Sequence, residues 1–344
     1  MHFRADLSGI VASKPAILYW ILNQSAGGTL IAYDIRDNWV FMYPCDAPGM
    51  DPASVTDEVC VNAAKEAIGA PDVELDVLSI REWEMTSEVA EAYRQGSVFL
   101  AGDAAHRYPP SGGLGLNTGV GDAHNIAWKI AGVLAGWAPE TILDTYEGER
   151  RQVALQNAEF SMENAVKMLD VFNHAGVFAE PGTQPSLEEI RADGERWDAL
   201  QASIEDQRVH FDGLALHLGA HYCRDGAPDL FSDRMQHCEV GARLPHVWLE
   251  QNGGAVSSLA LLSPAEFTLL VGPGVDASGI ALDVPLRVLS CPEEFSGSTE
   301  ALEELGIAAG AVLVRPDGHI AGLFPSATGI DGAIERAAQT GLAA

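Results

Sequence analysis

Positive charge is scarce in this chain: 20 Lys and Arg stand against 49 Asp and Glu among 344 residues, a formal net charge of −29. That balance repels phosphates and anionic lipid alike, so neither a nucleic-acid surface nor a polybasic membrane patch is expected. Cysteine is also sparse. Cys45, Cys60, Cys223, Cys238 and Cys291 are odd in number and include no C-x-x-C pair, which excludes a disulfide framework and points to a reducing, cytoplasmic setting. No apolar run approaches the roughly 20 residues of a membrane span, and no charged n-region followed by an apolar h-region opens the chain. Metal-ligand patterns are thin. His217 and His221 stand four apart, with Cys223, His237 and Cys238 downstream, but no glutamate follows the first histidine and the cysteines are unpaired, so no metal is expected. The length still allows two or three cores, hence more than one domain.

One stretch organises the rest: V-F-L-A-G-D-A-A-H-R-Y-P-P-S-G-G-L-G-L-N-T-G-V-G-D-A-H-N-I-A-W-K-I-A, from Val98 to Ala131. Val98 to Ala101 read as a short, fully buried strand, because a continuous apolar run ending in Gly-Asp fits a central strand. Asp103 then stands at the strand's carboxyl end, where open α/β sheets bind ligands, and suits a ribose or ribityl hydroxyl. Pro109 and Pro110 stiffen the loop. Gly112, Gly113, Gly115 and Gly119 let the backbone touch a flat ligand where a Cβ would intrude. After Asn117 the spacing predicts a helix with Val120, Ile126, Ala127, Ile130, Ala131 and Leu134 on its apolar face, and its amino end points free N–H groups at whatever the glycines cradle.

The run Gly102-Asp103-Ala104-Ala105-His106, then Pro109-Pro110, Gly113-x-Gly115-x-Asn117 and Asp122-Ala123-x-Asn125-x-Ala127-Trp128-Lys129, resembles the second FAD-binding motif of the flavin-dependent aromatic hydroxylases. These are single-component monooxygenases with the p-hydroxybenzoate hydroxylase fold, and the phenol hydroxylase branch is the nearest in pattern. The resemblance implies FAD as cofactor, NAD(P)H as reductant, and hydroxylation of a phenol-like ring by O2 through a flavin hydroperoxide. It assigns Gly102, Asp103, Pro109, Gly113, Gly115, Leu116 and Asn117 to the cofactor. Asp103 would hold the ribityl chain, and the Leu116 and Asn117 N–H groups would stabilise negative charge on the flavin's pyrimidine edge. Pro110, bordering substrate and flavin through its carbonyl, is the residue assigned to the chemistry.

Before this stretch, Phe3, Ala5 and Leu7 alternate with polar residues, and Ile17–Leu22, Gly28–Ile35 and Asn38–Tyr43 follow as strands of an antiparallel sheet. Its rings are ordinary core taken one by one. Tyr33, Phe41 and Tyr43 are the substrate-side candidates, because they lie in the strands that the resembling family uses for its pocket. Pro52 to Gly69 reads as a helix capped by Ser54 or Thr56 and stopped by Gly69, and Val73 to Met85 as a strand. After the stretch, Pro139 opens a long helix to about Leu169. There Tyr146-Glu147-x-Glu149-Arg150-Arg151 is similar to the family's Y-x-x-E-R-R, and its charges read as a solvated face. Leu187 to Phe211 reads as a second helix, with Glu180 to Pro185 as the loop between.

From Gly241 the pattern gives strands at Phe267–Val271 and Leu286–Leu289, a helix near Ser298–Leu305, a hairpin turning at Pro316-Asp317-Gly318, and a closing helix from Asp331. That order resembles the thioredoxin-like C-terminal domain of the phenol hydroxylase branch, which serves packing and association, a homodimer included. The expected fold is therefore α/β and α+β: an antiparallel substrate-binding sheet over 1–96, a FAD-binding Gly-Asp motif with following helices over 97–235 as part of a doubly wound domain, and a thioredoxin-like domain over 236–344. The G-x-G-x-x-G that seats the adenosine diphosphate half of FAD in the family is absent from the sequence. The expectation is thus an N-terminally truncated monooxygenase chain that holds FAD poorly alone. The alternative is a non-catalytic remnant acting as a binding and association module.

Overall fold

The computed structural model describes residues 1–23, 26–45, 54–179, 183–222, 238–277, 279–280, 282–326 and 329–343. The chain divides into two compact units, one of Met1–Met85 with Asn164–Arg208, the other of Thr86–Glu163 with Val209–Ala344. The 97–235 segment is shared between them, and its first part lies in one unit with the C-terminal residues.

In the first unit, β1 (His2–Arg4), α1 (Ser8–Val11), β2 (Leu18–Leu22), β3 (Gly27–Asp34), β4 (Asn38–Met42), α2 (Asp57–Ile68) and β5 (Asp76–Ser79) follow in order. The strands form an antiparallel sheet in the order β2-β3-β4-β1-β5. Period-two alternation sets its faces. Leu30 pairs with both Tyr19 and Phe41, and Trp39 with both Ala32 and Phe3, so these side chains share the face that packs on Ala63 and Ala64 of α2. Thr56 caps α2 by accepting the Val59 amide, and Gly69 closes it in the left-handed conformation. The strand expected from Val73 to Met85 shortens to β5, because its ladder partner β1 is only three residues long, and Trp83 and Met85 stay exposed.

The second unit opens with two short ribbons, in which β6 (Glu88–Val89) pairs with β9 (His106–Arg107), and β7 (Arg94–Gln95) with β8 (Val98–Phe99). The fully buried strand expected at Val98–Ala101 is not what forms. Only Val98 and Phe99 are extended in a ladder, β7 is their one strand neighbour among the described residues, and Val98 is 66% exposed. A strand with a single two-residue partner has no sheet to cover it. The helix α3 (Leu114–Ala135) also differs from its expected polarity. Ile126 is buried and Ile130 half-buried, but Val120, Ala127, Ala131 and Leu134 face outward, while Thr118, Asp122, Asn125 and Lys129 are inside with Leu114 and Trp128. The polar side turns inward because every charge on it meets an opposite charge, as described below.

Pro139 then precedes a 3-10 turn, Glu140–Asp144, that runs into α4 (Thr145–His174). Beyond Glu163 the chain is in the first unit again, where Val171 and Ala175 of α4 pack with Ile190 of α5 (Leu187–Ala192), Leu200 of α6 (Gly194–Glu205), and Trp20 and Leu22 of β2. The single helix expected from Leu187 to Phe211 breaks at Asp193, whose side chain accepts the Arg196 amide and starts α6 anew. After α7 (Arg208–Phe211) and α8 (Leu214–Leu218) come the hairpin of β10 (Trp248–Gln251) and β11 (Gly254–Ser257), and then β12 (Phe267–Val271), β13 (Leu286–Ser290), α9 (Thr299–Glu304), β14 (Ala311–Val314), β15 (Ile320–Phe324) and α10 (Ile330–Thr340).

The last sheet has the order β13-β12-β14-β15, with β12 and β13 parallel and the other pairs antiparallel. Its central strands β12 and β14 are buried throughout, which accounts for their unbroken apolar sequence. Leu269 and Leu313 point to the side of α10 and of Trp128 on α3, and Leu270 and Val312 to the side of Leu249 and Leu302. This sheet and the amino-terminal stretch of the unit thus share one core.

Candidate functional site

Gly102 adopts φ +57 and begins a 3-10 turn, Gly102–Ala104, that leaves the Asp103 side chain exposed. The turn rests on α3. A Cβ on Gly119 would lie 3.0 Å from the Gly102 Cα, so Gly119 serves backbone packing and not ligand approach, contrary to expectation. Pro109 is buried and Pro110 exposed, and the Pro110 carbonyl accepts the Gly113 amide at 2.9 Å with one of its two lone pairs. Gly113, at φ +66, leads into α3 without any side-chain cap on the first-turn amides. Asn117 instead turns its Nδ2 back to the Gly113 carbonyl at 2.8 Å, and Leu116 is 81% exposed.

Gly115 differs from Gly119 in a telling way: neither has a positive φ, but beyond its own helix turn nothing lies within 4 Å of a Cβ added at Gly115. Nothing in the protein itself demands glycine at this position. Gly102, Asp103, Pro110, Gly113, Gly115, Leu116 and Asn117 thus gather around the open amino end of a 22-residue helix, whose uncapped amides favour a negatively charged or electron-rich group.

The substrate-side candidates belong to the other unit, where Phe41 and Tyr43 lie together and Tyr33 stands apart. Phe41 is fully buried under α2, so it backs the sheet from within its core, whereas Tyr33 is 70% exposed on the opposite face. Tyr43 is half-buried, with its ring 6.0 Å from that of Phe41. Of the histidine and cysteine cluster, Cys223 and His237 lie outside the described residues, and among the described residues no three His, Cys, Asp or Glu side chains converge as metal ligands.

Behind the loop lies a set of buried charges that the sequence pattern presented as a solvated helix face. Glu149 and Arg150, expected outside, are both buried, because they pair with the inward side of α3. Arg150 Nε donates to Asp122 Oδ1 at 2.9 Å, and Lys129 Nζ donates to Glu149 Oε2 at 2.8 Å. Arg315 grips Glu149 with two bonds of 2.8 Å and forks onto Asp317 at 3.0 and 2.6 Å. Trp128 Nε1 and Asn125 Nδ2 also donate to Asp317, each at 3.2 Å. Three carboxylates face three cations. Burial by itself would raise the Glu149 carboxyl, but the Arg315 guanidinium and the Lys129 ammonium hold it at about 2. At Lys129 burial prevails over the attraction of Glu149, with Arg315 opposing as a like charge, and the ammonium falls to about 8. The signal available in the sequence was the spacing of Asp122, Asn125 and Lys129, three and four residues apart on one helix face.

Residues 1–161 match the family model described as FAD binding domain, and residues 237–342 that described as aromatic-ring hydroxylase, C-terminal. The chain is a relative of the FAD-dependent aromatic hydroxylases. It is 33% identical over 93% of its length to tetracenomycin B2 monooxygenase-dioxygenase of Streptomyces olivaceus, and 29% identical over 93% to 2,4-dichlorophenol 6-monooxygenase of Cupriavidus pinatubonensis, covering 56% and 59% of those proteins. The crystal structure of the flavin-dependent monooxygenase PieE in complex with FAD and substrate superimposes with a TM-score of 0.79 at 32% identity, over 93% of this chain and 61% of that one. The chain therefore spans little more than half the length of the relatives it matches. Among the described residues no helix is long and apolar enough to cross a membrane.

Proposed function

We propose that this chain carries the flavin side of an FAD-dependent monooxygenase that hydroxylates a phenol-like aromatic ring with NAD(P)H and O2. The observation that carries the proposal is Gly115, a glycine that no protein contact or backbone angle requires, at the mouth of an uncapped helix beside an exposed carboxylate. A flat ring system lying across Gly113 and Gly115 accounts for the missing Cβ. Bound FAD would supply the oxygen-activating chemistry. The protein would supply position and electrostatics: Asp103 would accept hydrogen bonds from ribityl hydroxyls, the α3 amides near Leu116 and Asn117 would favour negative charge on the flavin's pyrimidine edge, and the Pro110 carbonyl would border the substrate. One relative is named for 2,4-dichlorophenol, and the C-terminal family model for aromatic-ring hydroxylases, which supports a phenol-like aromatic ring as the substrate class.

We also infer that 1–96 contributes the sheet of a substrate pocket, with Tyr33, Phe41 and Tyr43 as its candidates, Phe41 from within the sheet's core, that 97–235 carries the flavin motif, and that 236–344 is a thioredoxin-like domain used in packing or homodimer contact. The parallel β12–β13 pair continued by antiparallel β14 and β15 supports the last of these.

The test is FAD titration of the purified chain, read by quenching of flavin fluorescence. Asp103→Ala should weaken binding about 10- to 100-fold, the equivalent of a charge-assisted hydrogen bond of about 1.5–3 kcal/mol. Gly115→Val should weaken it further by filling the cradle. Affinities equal to that of the parent chain in both variants would remove the flavin from this loop.

A further inference from the structure

Asp122 stands in the third turn of α3, wholly buried, with both oxygens in use. Its Oδ2 accepts the Gly102 amide at 3.1 Å and His106 Nε2 at 2.8 Å, so a single carboxylate oxygen grips both ends of the Gly102–His106 turn. Asp103 is held between those two points. The other oxygen takes Arg150 Nε, and Arg150 also donates Nη2 to the Thr118 carbonyl at 3.1 Å and hydrogen-bonds the Tyr222 side chain. The Tyr222 ring lies 4.9 Å from the Arg315 guanidinium and stacks on His319 at 4.0 Å. Arg315 and Asp317 belong to the turn between β14 and β15. A continuous path of charged and aromatic groups, buried except at half-buried Tyr222, thus leads from the C-terminal hairpin, through α4, to the turn that presents Asp103.

We propose that Asp122 is the positioning residue of the Asp103 turn, and that Arg315 and Asp317 of the C-terminal hairpin act on that turn through it. Asp122 is itself sealed from the open mouth of the loop, so it acts on a ligand only by setting where Asp103 stands. Two features make the path directive. The charges along it balance, so a break strands a buried ion, which leaves few alternative arrangements of comparable energy. The turn's other holds are few among the described residues: the Ala105 amide to the Gly102 carbonyl within the turn, the Ala90 amide to the Ala105 carbonyl, and at its far end the pairing of His106 with Val89 of β6 and its ring stacking on Tyr108. The C-terminal segment thereby gains a role beyond packing, that of fixing the geometry of a loop far from it in sequence. What the positioning is for rests on the flavin reading of that loop.

The test separates the two ideas. In the full chain, backbone amide NMR and hydrogen exchange are followed at Gly102 and Asp103 in Asp122→Asn, in the remote Asp317→Asn, and in Ile334→Val, a control in the same core that lies off the path. Asp122→Asn should shift the Gly102 amide upfield, as its charged acceptor is lost, and raise its exchange at least tenfold. Asp317→Asn should move the same amide in the same direction, and Ile334→Val should leave it unmoved. If Asp317→Asn disturbs only its own hairpin, or if Ile334→Val moves Gly102 as much, the coupling is refuted. Should Asp122→Asn fail to fold, His106→Leu, which removes one of the two grips, takes its place with the same expectation. FAD titration then divides the ideas: Asp122→Asn should lose at least tenfold in affinity. A loss with Asp103→Ala but none with Asp122→Asn overturns the positioning role, whereas no loss with either Asp103→Ala or Gly115→Val overturns the flavin reading.

Discussion

Glu149→Gln and Lys129→Met remove the two ends of one buried ion pair, yet their costs should differ clearly. Glu149 accepts from Arg315 Nη1 and Nη2, Lys129 Nζ and Asn125 Nδ2. Replacing it by glutamine leaves two buried cations facing Asp317 alone, and an uncompensated buried charge of this kind costs about 3–5 kcal/mol. Replacing Lys129 leaves the Arg315–Glu149 fork intact. It leaves Glu149 and Asp317 sharing one guanidinium, but it also removes an ammonium that burial already pulls from 10.5 to about 8, so Lys129→Met should cost clearly less than the about 3–5 kcal/mol of Glu149→Gln. The double variant should be more stable than Glu149→Gln, because it restores the balance of charge. Urea unfolding followed by tryptophan fluorescence is suited to the test, since Trp128 and Trp137 stack at 6.3 Å beside the network. Equal losses for the two single variants, or a double variant as unstable as the sum of both, would refute the reasoning.

The glycines offer a matched pair: a Cβ at Gly272 would stand 1.6 Å from the Ile307 carbonyl oxygen, so Gly272→Ala should lose about 3 kcal/mol or more by thermal unfolding. Gly115→Ala, with nothing within 4 Å, should change stability by less than about 1 kcal/mol, and in the favourable direction expected of alanine in a helix. In acid, the stabilisation from Glu149 should be complete above its ordinary value of 4.5 and disappear as the pH falls through about 2, because its folded value is the lower of the two. Asp122, also held low with burial opposed by His106 and Arg150, loses its contribution in the same direction. Stability against pH for the parent and Glu149→Gln should therefore converge at low pH, and parallel curves would contradict it.

Regular elements with a strong local signal were legible in the sequence. Thr56 and Gly69 bracket α2 as their chemistry requires, and β12, β14 and β15 follow from apolar runs around a Pro-Asp-Gly turn. The loop's backbone was legible in part, because Gly102 and Gly113 take the positive φ that glycine allows, whereas Gly119 serves packing. The polarity of α3 was not. Val120 and Leu134 looked like core and Glu149 and Arg150 like surface, since hydrophobic periodicity reports burial only when buried polar groups are rare. Here the inward side holds Asp122, Asn125 and Lys129, whose partners come from residues about 20 to 190 positions away, and no local pattern reports contacts of that range. Val98 was misjudged for the converse reason: an apolar run is buried only if strands flank it on both sides, and here β7 alone does.

The buried charges contribute little net stability, and this is what favours a geometric role for them. Glu149 gains from its setting, its value lowered from 4.5 to about 2, while Lys129 is penalised by its own, its value lowered from 10.5 to about 8. The two act in opposite directions, as desolvation and attraction commonly do for ion pairs inside proteins. Leucine and methionine of similar volume would fill the same space at no disadvantage to stability, but they would not dictate which way α3 is turned about its axis. Paired charges do dictate it, because a rotated α3 would strand Asp122, Lys129 and Glu149 without partners. That single permitted rotation is what brings Gly119 against Gly102, puts the Asp122 carboxylate under the Asp103 turn, and leaves Gly115 facing open space at the helix mouth.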